Sequence, residues 1–414
     1  MERITVERIK IGPSKIEVFY DISDGLLQYF DRKQNVFWIE YTENISIVPT
    51  SIAVVPFVCN VLPIIWLTNS SLVLPELDKT FYKSIEEFER GYIEMYPMLS
   101  FKGQLEIKNI VDNSYLPDGG HAAFFSGGVD AFTTLICHRK EFPALVTLRG
   151  SDVKLDDIEG WNNVHEHLLA TVSKFQLPQP ICITSNFRTF IDETALSQLV
   201  IDSKDGWWHG FQCGIGLIAQ IAPVAFVKHF DVVYIASSYT LNDKIPSASY
   251  PTIDNYVKFG NSRVVHDQYE HHRQEKIQIL TNYCKETKDT LNLRVCWVSK
   301  GGRNCCHCEK CLRTILALMA EGESPKDYGF DYSDSDLKRS REIVVNTLYT
   351  ANDGVRADWM HIKDRFVEKQ LYKNNKDINW IYKLNPYAPK PQPSLILRLK
   401  IKIAKWISIF GIKV

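Results

Sequence analysis

From residue 119 onward, short apolar runs alternate with segments of helical length, and this alternation restricts the fold more than any other feature of the chain. AAFF (122–125), ALVTLRG (144–150), ICITSNF (181–187), VVYIASS (232–238) and NLRVCWV (292–298) read as buried strands. Between them lie helical patterns at DAFTTLICHRK, WNNVHEHLLATVSKF, an apolar stretch over 207–222, and residues 270–284. Such βαβα order predicts an α/β fold with a doubly wound parallel sheet and helices on both faces. Ligands of such sheets gather beyond the carboxyl ends of the strands.

The flanks differ from this middle. Residues 1–115 are β-rich: ITVERIKI and KIEVFYDI alternate with period two, and NVFWIEYT is rich in aromatic and β-branched residues. The apolar run SIAVVPFVCNVLPIIWL (51–67) contains two prolines and reads as buried strands rather than a membrane span. One helix is expected over 84–96, with Ser84 and Glu87 at capping-box spacing. Residues 325–414 read as a helical, polar extension that turns Pro-rich and ends in the basic stretch LILRLKIKIAKWISIFGIKV. That tail is weighed between packing on the protein or a partner and lying on a membrane surface as an amphipathic helix. The expected division is therefore 1–115, 116–324 and 325–414.

Charge and cysteines narrow the function classes. Lys plus Arg number 48 and Asp plus Glu 49, a balance that argues against a broad duplex nucleic-acid grip. The N-terminus lacks the apolar core of a signal peptide, so a cytoplasmic protein with reduced cysteines is expected. Four of the ten cysteines, Cys296, Cys305, Cys308 and Cys311, stand as C-x8-C-x2-C-x2-C. Soft thiolates at this spacing fit a tetrahedral Zn2+ site, structural because four protein ligands leave no open position. Cys306 and His307 are extra candidates, and a Cys3His set stays open. The other cysteines read as small core residues.

The second motif is Ser126-Gly127-Gly128-Val129-Asp130, between a strand and a helix. Two glycines allow a tight turn whose amides face an anion, and the following helix adds its positive end. Ser126 can donate a hydroxyl, and Asp130 can cap the helix or help place a metal ion. The spacing is not that of the common mononucleotide loop.

SGGVD resembles the signature of the PP-loop ATP pyrophosphatases. Together with the cysteine pattern downstream, residues 119–322 are similar to the 7-cyano-7-deazaguanine synthase branch of that family. The resemblance implies a Rossmann-like core, cofactors ATP, Mg2+ and Zn2+, and adenylation of a small carboxylate acceptor, including a 7-deazaguanine acid. Ammonia or an amine then displaces AMP. Enlarged relatives in bacterial antiviral defence imply a protein amine as one possible nucleophile. The implied nucleotide site comprises Ser126, Gly127, Gly128, Val129, Asp130, Thr133, Leu148 and Ser237. The implied catalytic groups are Ser126, Asp130, Lys244 and Arg263, the last two with Lys258 and Arg273 as cations for the triphosphate. The segment 237–263, with Ser238, Asp243 and Asp254, would line the acceptor. Ala131 stands where the family carries serine, with Thr133 or Thr134 as substitutes for the lost hydroxyl. Two alternatives follow: a nucleotide-binding module without chemistry, or a sulfur-transferring enzyme using Cys306 or another free thiol. His266, His271 and His272 have a metal-ligand look but read as a helix start or acceptor-pocket residues.

Overall fold

The computed structural model describes residues 2–31, 35–116, 118–243, 245–298 and 301–390. Lys244 and the basic tail fall outside the described residues.

The chain opens with an antiparallel meander, β1 (Arg3–Ile11), β2 (Lys15–Ile22) and β3 (Val36–Tyr41). The apolar run that follows is helical, not extended: α1 (Thr50–Ala53) and α2 (Val55–Thr68). The reason is burial on every side. Each residue from Val55 to Trp66 is buried, so neither a two- nor a 3.6-residue period shows in the sequence. Pro56 sits in the first turn, where its missing N–H costs nothing. After β4 (Ser71–Asp78), α3 (Lys79–Met95) begins five residues before the expected start. Asp78 caps it by accepting from the Phe81 amide at 2.8 Å, while the Ser84 hydroxyl donates backward to the Phe81 carbonyl. β5 (Gln104–Val111) then closes one edge of the sheet.

The middle of the chain follows the expected alternation: β6 (Gly120–Phe124), α4 (Val129–His138), β7 (Ala144–Arg149), α5 (Ile158–Phe175) and β8 (Ile181–Ser185). Next come α6 (Glu193–Leu199), a π-helical segment at Trp208–Gln212, α7 (Ile215–Ile218) and α8 (Ala222–Lys228), so the single helix expected over 207–222 is broken into pieces. β9 (Phe230–Ala236), α9 (Pro251–Asp254), β10 (Lys258–Phe259) and β11 (Ser262–Asp267) complete the sheet. α10 (Arg273–Thr287), α11 (Glu309–Ala320), α12 (Asp334–Leu348) and α13 (Asp353–Lys369) follow. The strand expected at 292–298 does not form. Its amides go elsewhere: Arg294 N–H to the Gly127 carbonyl at 2.7 Å, and Val295 N–H to Asn304 Oδ1 at 2.9 Å.

The eleven strands among the described residues belong to one mostly parallel sheet, in the order β10-β11-β9-β6-β7-β8-β3-β2-β1-β4-β5. β8-β7-β6-β9-β11 run parallel, and β3 joins the two halves by pairing antiparallel with β8. The chain moves to one side of β6 through β7 and β8, then returns to its other side as β9. That reversal leaves a crevice at the carboxyl ends of β6 and β9, the place where open α/β sheets bind ligands.

Strand pleating divides the interior into two cores. Ala122, Phe124, Val146, Ile183 and Val233 face α2 and the 207–228 segment. Ala123, Phe125, Leu145, Cys182 and Val232 face α4, α5 and the C-terminal helices α10 to α13. No described helix is long and apolar enough to cross a membrane.

Candidate functional site

The turn from β6 into α4 is held by its neighbours. The Phe125 amide bonds the Val146 carbonyl at 2.8 Å, and the Thr147 hydroxyl bonds the Phe125 carbonyl at 2.7 Å. Gly127 has φ +77°, the left-handed region that disfavours a side chain. A Cβ there would lie 2.7 Å from His167 Cε1, on α5. Gly128 is the N-cap of α4, so Val129 and Asp130 present first-turn amides with no intrahelical partner. Arg294 closes the back of the turn, its Nε donating to the Ser126 carbonyl at 3.1 Å.

A cleft of about 260 Å3 opens in front of this turn. Ser126, Asp130, Arg294 and Lys310 line its polar side, and Ala131, Val146, Leu148, Val164, Leu217 and Ile235 its apolar side. Asp130 meets two cations from α10: Arg273 Nη1 at 3.1 Å and Lys276 Nζ at 3.5 Å. Burial works to raise the Asp130 carboxyl, but the charges of Lys276, Arg273, Lys310 and Arg313 outweigh it and hold it below the usual carboxylate range. Lys276 is almost wholly buried, and its ammonium also donates to the Ser237 carbonyl at 2.5 Å. Lys310 makes no ion pair among the described residues; burial, with Arg273 next, pushes its ammonium below the ordinary range. Lys310 is half-buried on the cleft wall, and a cation so placed beside helix-start amides suits an anion.

The four cysteines converge. Their sulfurs all lie within 4.8 Å of one another. Cys296 and Cys308 sulfurs are 3.8 Å apart, and those of Cys305 and Cys311 are 4.0 Å apart. A tetrahedron with Zn–S bonds of about 2.3 Å has edges of about 3.8 Å, whereas a disulfide needs about 2.05 Å. The donor set therefore fits a metal such as zinc, with no coordination position left for substrate. Cys306 is not in the set: it has φ +61°, is buried, and its thiol contacts the Asn304 carbonyl. The centre adjoins the cleft through the chain itself. Arg294 precedes Cys296 by two residues, and Lys310 lies between Cys308 and Cys311.

Of the residues singled out in the sequence, Ser126, Gly127, Gly128, Val129 and Asp130 form the turn, and Leu148 lines the cleft. Thr133 is buried and its hydroxyl donates to the Val129 carbonyl at 2.9 Å, so it faces its own helix. Ser237 is buried with its hydroxyl on the Tyr239 carbonyl; Ser238 lines the cleft instead. Arg263 is exposed at the start of β11, in register with Val232, and thus sits toward the sheet end away from the cleft. Lys258 pairs with Glu87 on the surface. Asp254 is buried against His266 at 2.8 Å, and Asp243 caps the Thr240 turn. Arg294, Lys276 and His167 belong to the site but were not anticipated in these roles. A clue existed for two of them: Lys276 lies one helical turn after Arg273, and Arg294 stands beside a ligand cysteine.

No protein-family model, curated protein or solved structure matches this chain.

Proposed function

We propose that the chain is an ATP-dependent, AMP-forming ligase of the PP-loop type, related to 7-cyano-7-deazaguanine synthases. The observation that carries this reading is the convergence of the Ser126–Asp130 turn with Lys310, Arg294, Arg273 and Lys276 at the crevice between β6 and β9. The apolar wall of Val146, Leu148 and Ile235 suits a purine, and the turn amides with Lys310 and Arg294 suit the β- and γ-phosphates.

In the proposed reaction an acceptor carboxylate oxygen attacks the α-phosphorus of ATP. The new P–O bond forms as the α–β bridging bond breaks, and pyrophosphate leaves with the electron pair. An amine or ammonia then attacks the activated carbonyl carbon, AMP departs, and the amine loses a proton. The protein's part is positioning and neutralising charge on the departing pyrophosphate. Mg2+, when bound, would share that charge, with Asp130 as the carboxylate at hand. Zinc on the four cysteines would hold Arg294 and Lys310 in place. The acceptor is a small carboxylic acid of the 7-deazaguanine kind, and the nucleophile includes a protein amine of the sort expected in antiviral defence.

The test is release of pyrophosphate and AMP from ATP by the zinc-loaded chain with 7-carboxy-7-deazaguanine and related acids. No release with any acid, together with no binding of a non-hydrolysable ATP analogue, would remove the reading. One observation favours a second reading, a nucleotide-binding module without turnover. Ala131 lines the cleft where a hydroxyl is expected, and the Thr133 hydroxyl is engaged within α4. Tight analogue binding without turnover would select it. Sulfur transfer by Cys306 is disfavoured: the thiol is buried against the Asn304 carbonyl and does not line the cleft.

A further inference from the structure

β5 is the last strand of the sheet, and its outer edge meets no other strand among the described residues. One bond fixes which way its backbone points. The Gln104 amide donates to the Ser70 carbonyl at 3.0 Å, with Gln104 in register with Ser71 of β4. In a parallel ladder alternate residues turn both backbone groups to the same neighbour. Gln104, Glu106, Lys108 and Ile110 therefore turn theirs to β4, and Leu105, Ile107 and Asn109 point their N–H and C=O outward. No hydrogen bond among the described residues reaches those outward groups. Such an edge is a template for another strand unless something blocks it. The side chains alternate as well. Leu105 and Ile107 are half-buried against the core, whereas Gln104, Glu106, Lys108 and Ile110 are exposed on the other face. Neither Glu106 nor Lys108 makes an ion pair among the described residues.

We infer that β5 pairs antiparallel with β5 of a second copy of this chain, around a two-fold axis at Ile107, so that two sheets join edge to edge. The charges choose the register. Only the outward-pointing residues can exchange hydrogen bonds, so Ile107 must lie opposite Leu105, Ile107 or Asn109 of the other copy. Opposite Leu105, the two Glu106 carboxylates meet. Opposite Asn109, the two Lys108 ammoniums meet. Opposite Ile107 itself, Glu106 of each copy stands against Lys108 of the other. These mixed pairs fall at non-hydrogen-bonded positions, where opposing Cα atoms are about 4.5 Å apart and side chains interact most closely. The same register exchanges about six backbone hydrogen bonds, two for each opposed pair of outward residues. It also sets Ile107 against Ile107 on the core side of the sheet. Charges that only guarded the edge would need no such self-complementarity. None of the β5 residues is in the cleft lining, so the contact is independent of the ligase reading.

The test is sedimentation of the full chain across micromolar concentrations, because a contact limited to one strand edge is small and weak. A reversible monomer–dimer equilibrium is expected. Lys108→Glu places a second carboxylate opposite Glu106 at both ends of the two-fold and should weaken dimerisation roughly tenfold or more. Glu106→Lys should do the same with ammoniums. Both side chains are exposed, so neither variant should disturb the fold, which thermal melting checks. The double variant Glu106→Lys with Lys108→Glu exchanges the charges and should dimerise to within about threefold of the unaltered chain. An equimolar mixture of the two single variants should form a heterodimer although neither dimerises well alone. A chain that stays monomeric throughout overturns the inference, and so does a dimer that both single variants leave intact. Hydrogen exchange of the Leu105, Ile107 and Asn109 amides separates one further outcome. Protection of all three in a monomer would mean that another segment of the chain, such as the basic tail, covers the edge, and would overturn the inference as well.

Discussion

Gly127 is the residue on which the proposed anion site turns, because two independent constraints meet there. Its φ of +77° costs a non-glycine residue roughly 1–2 kcal/mol, and the close approach of His167 leaves no space for a methyl group. Gly127→Ala should destabilise the fold by about 1–3 kcal/mol in denaturant titration. It should also lose most pyrophosphate binding, while the zinc content stays unchanged. This turn was readable in the sequence because strand, glycines and helix are contiguous. Lys276 and Arg294 were harder to read, because each arrives from a different element and its only local clue is a neighbour, Arg273 in one case and the ligand Cys296 in the other. Another residue carries a pH signature. Burial disfavours the charged His138, but Asp267 at 3.0 Å and Glu141 at 2.9 Å overcome it and raise its pKa from 6.5 to about 9. A raised histidine pKa stabilises the fold fully below pH 6.5, and that contribution disappears as the pH rises through about 9. Stability measured by urea titration should fall by about 1–2 kcal/mol between pH 6.5 and 9.5, discounted for partial exposure. His138→Gln should flatten that segment of the profile.

At the scale of elements, α11 couples the four-cysteine centre to the cleft. Cys308 is its N-cap and accepts from the Cys311 amide, so two ligands bracket the first turn that carries Lys310. The segment before it, 292–298, read as a strand by composition, yet its amides serve the glycine turn and Asn304. Composition reports apolar burial but not where hydrogen bonds go, and here they go to the site. The same blindness hid α2, whose fully buried surface erased the helical period. Metal binding is therefore expected to be felt in the cleft. Metal analysis should find one zinc per chain, and Cys308→Ser should abolish it. Pyrophosphate affinity should drop at least tenfold on chelation, since Arg294 and Lys310 lose their anchor, about 1.4 kcal/mol or more. Equal affinity with and without metal would separate the two sites.

Across the whole molecule, the sheet does not stop where the sequence changes character. Residue 115 lies between β5 and β6, and the strands before and after it share one sheet and a core. β3 pairs with β8, and Asn186 just past β8 bonds the Trp38 amide at 2.8 Å and the Val36 carbonyl at 2.9 Å. Deeper in, Asn60 of α2 donates to Gly216 and accepts from Gln212, joining α2 to the broken helical segment by bonds that both halves need. A buried amide stripped of its partner costs about 1–3 kcal/mol, and removal of residues 1–115 strips several at once. It also bares the β8 edge and the apolar face of the 207–228 segment, the combination that promotes aggregation. A fragment of residues 116–390 should therefore be insoluble, or bind a hydrophobic dye and melt without cooperativity, and co-expression with residues 1–115 should restore a cooperative transition. A soluble fragment with a sharp melt would mean that the N-terminal strands are an attachment rather than a structural half. The cleft could then be studied without them. If the halves are interdependent, as the shared ladder argues, the N-terminal strands support the crevice between β6 and β9 from a distance, through β8 and β7, although none of their described residues is in its lining.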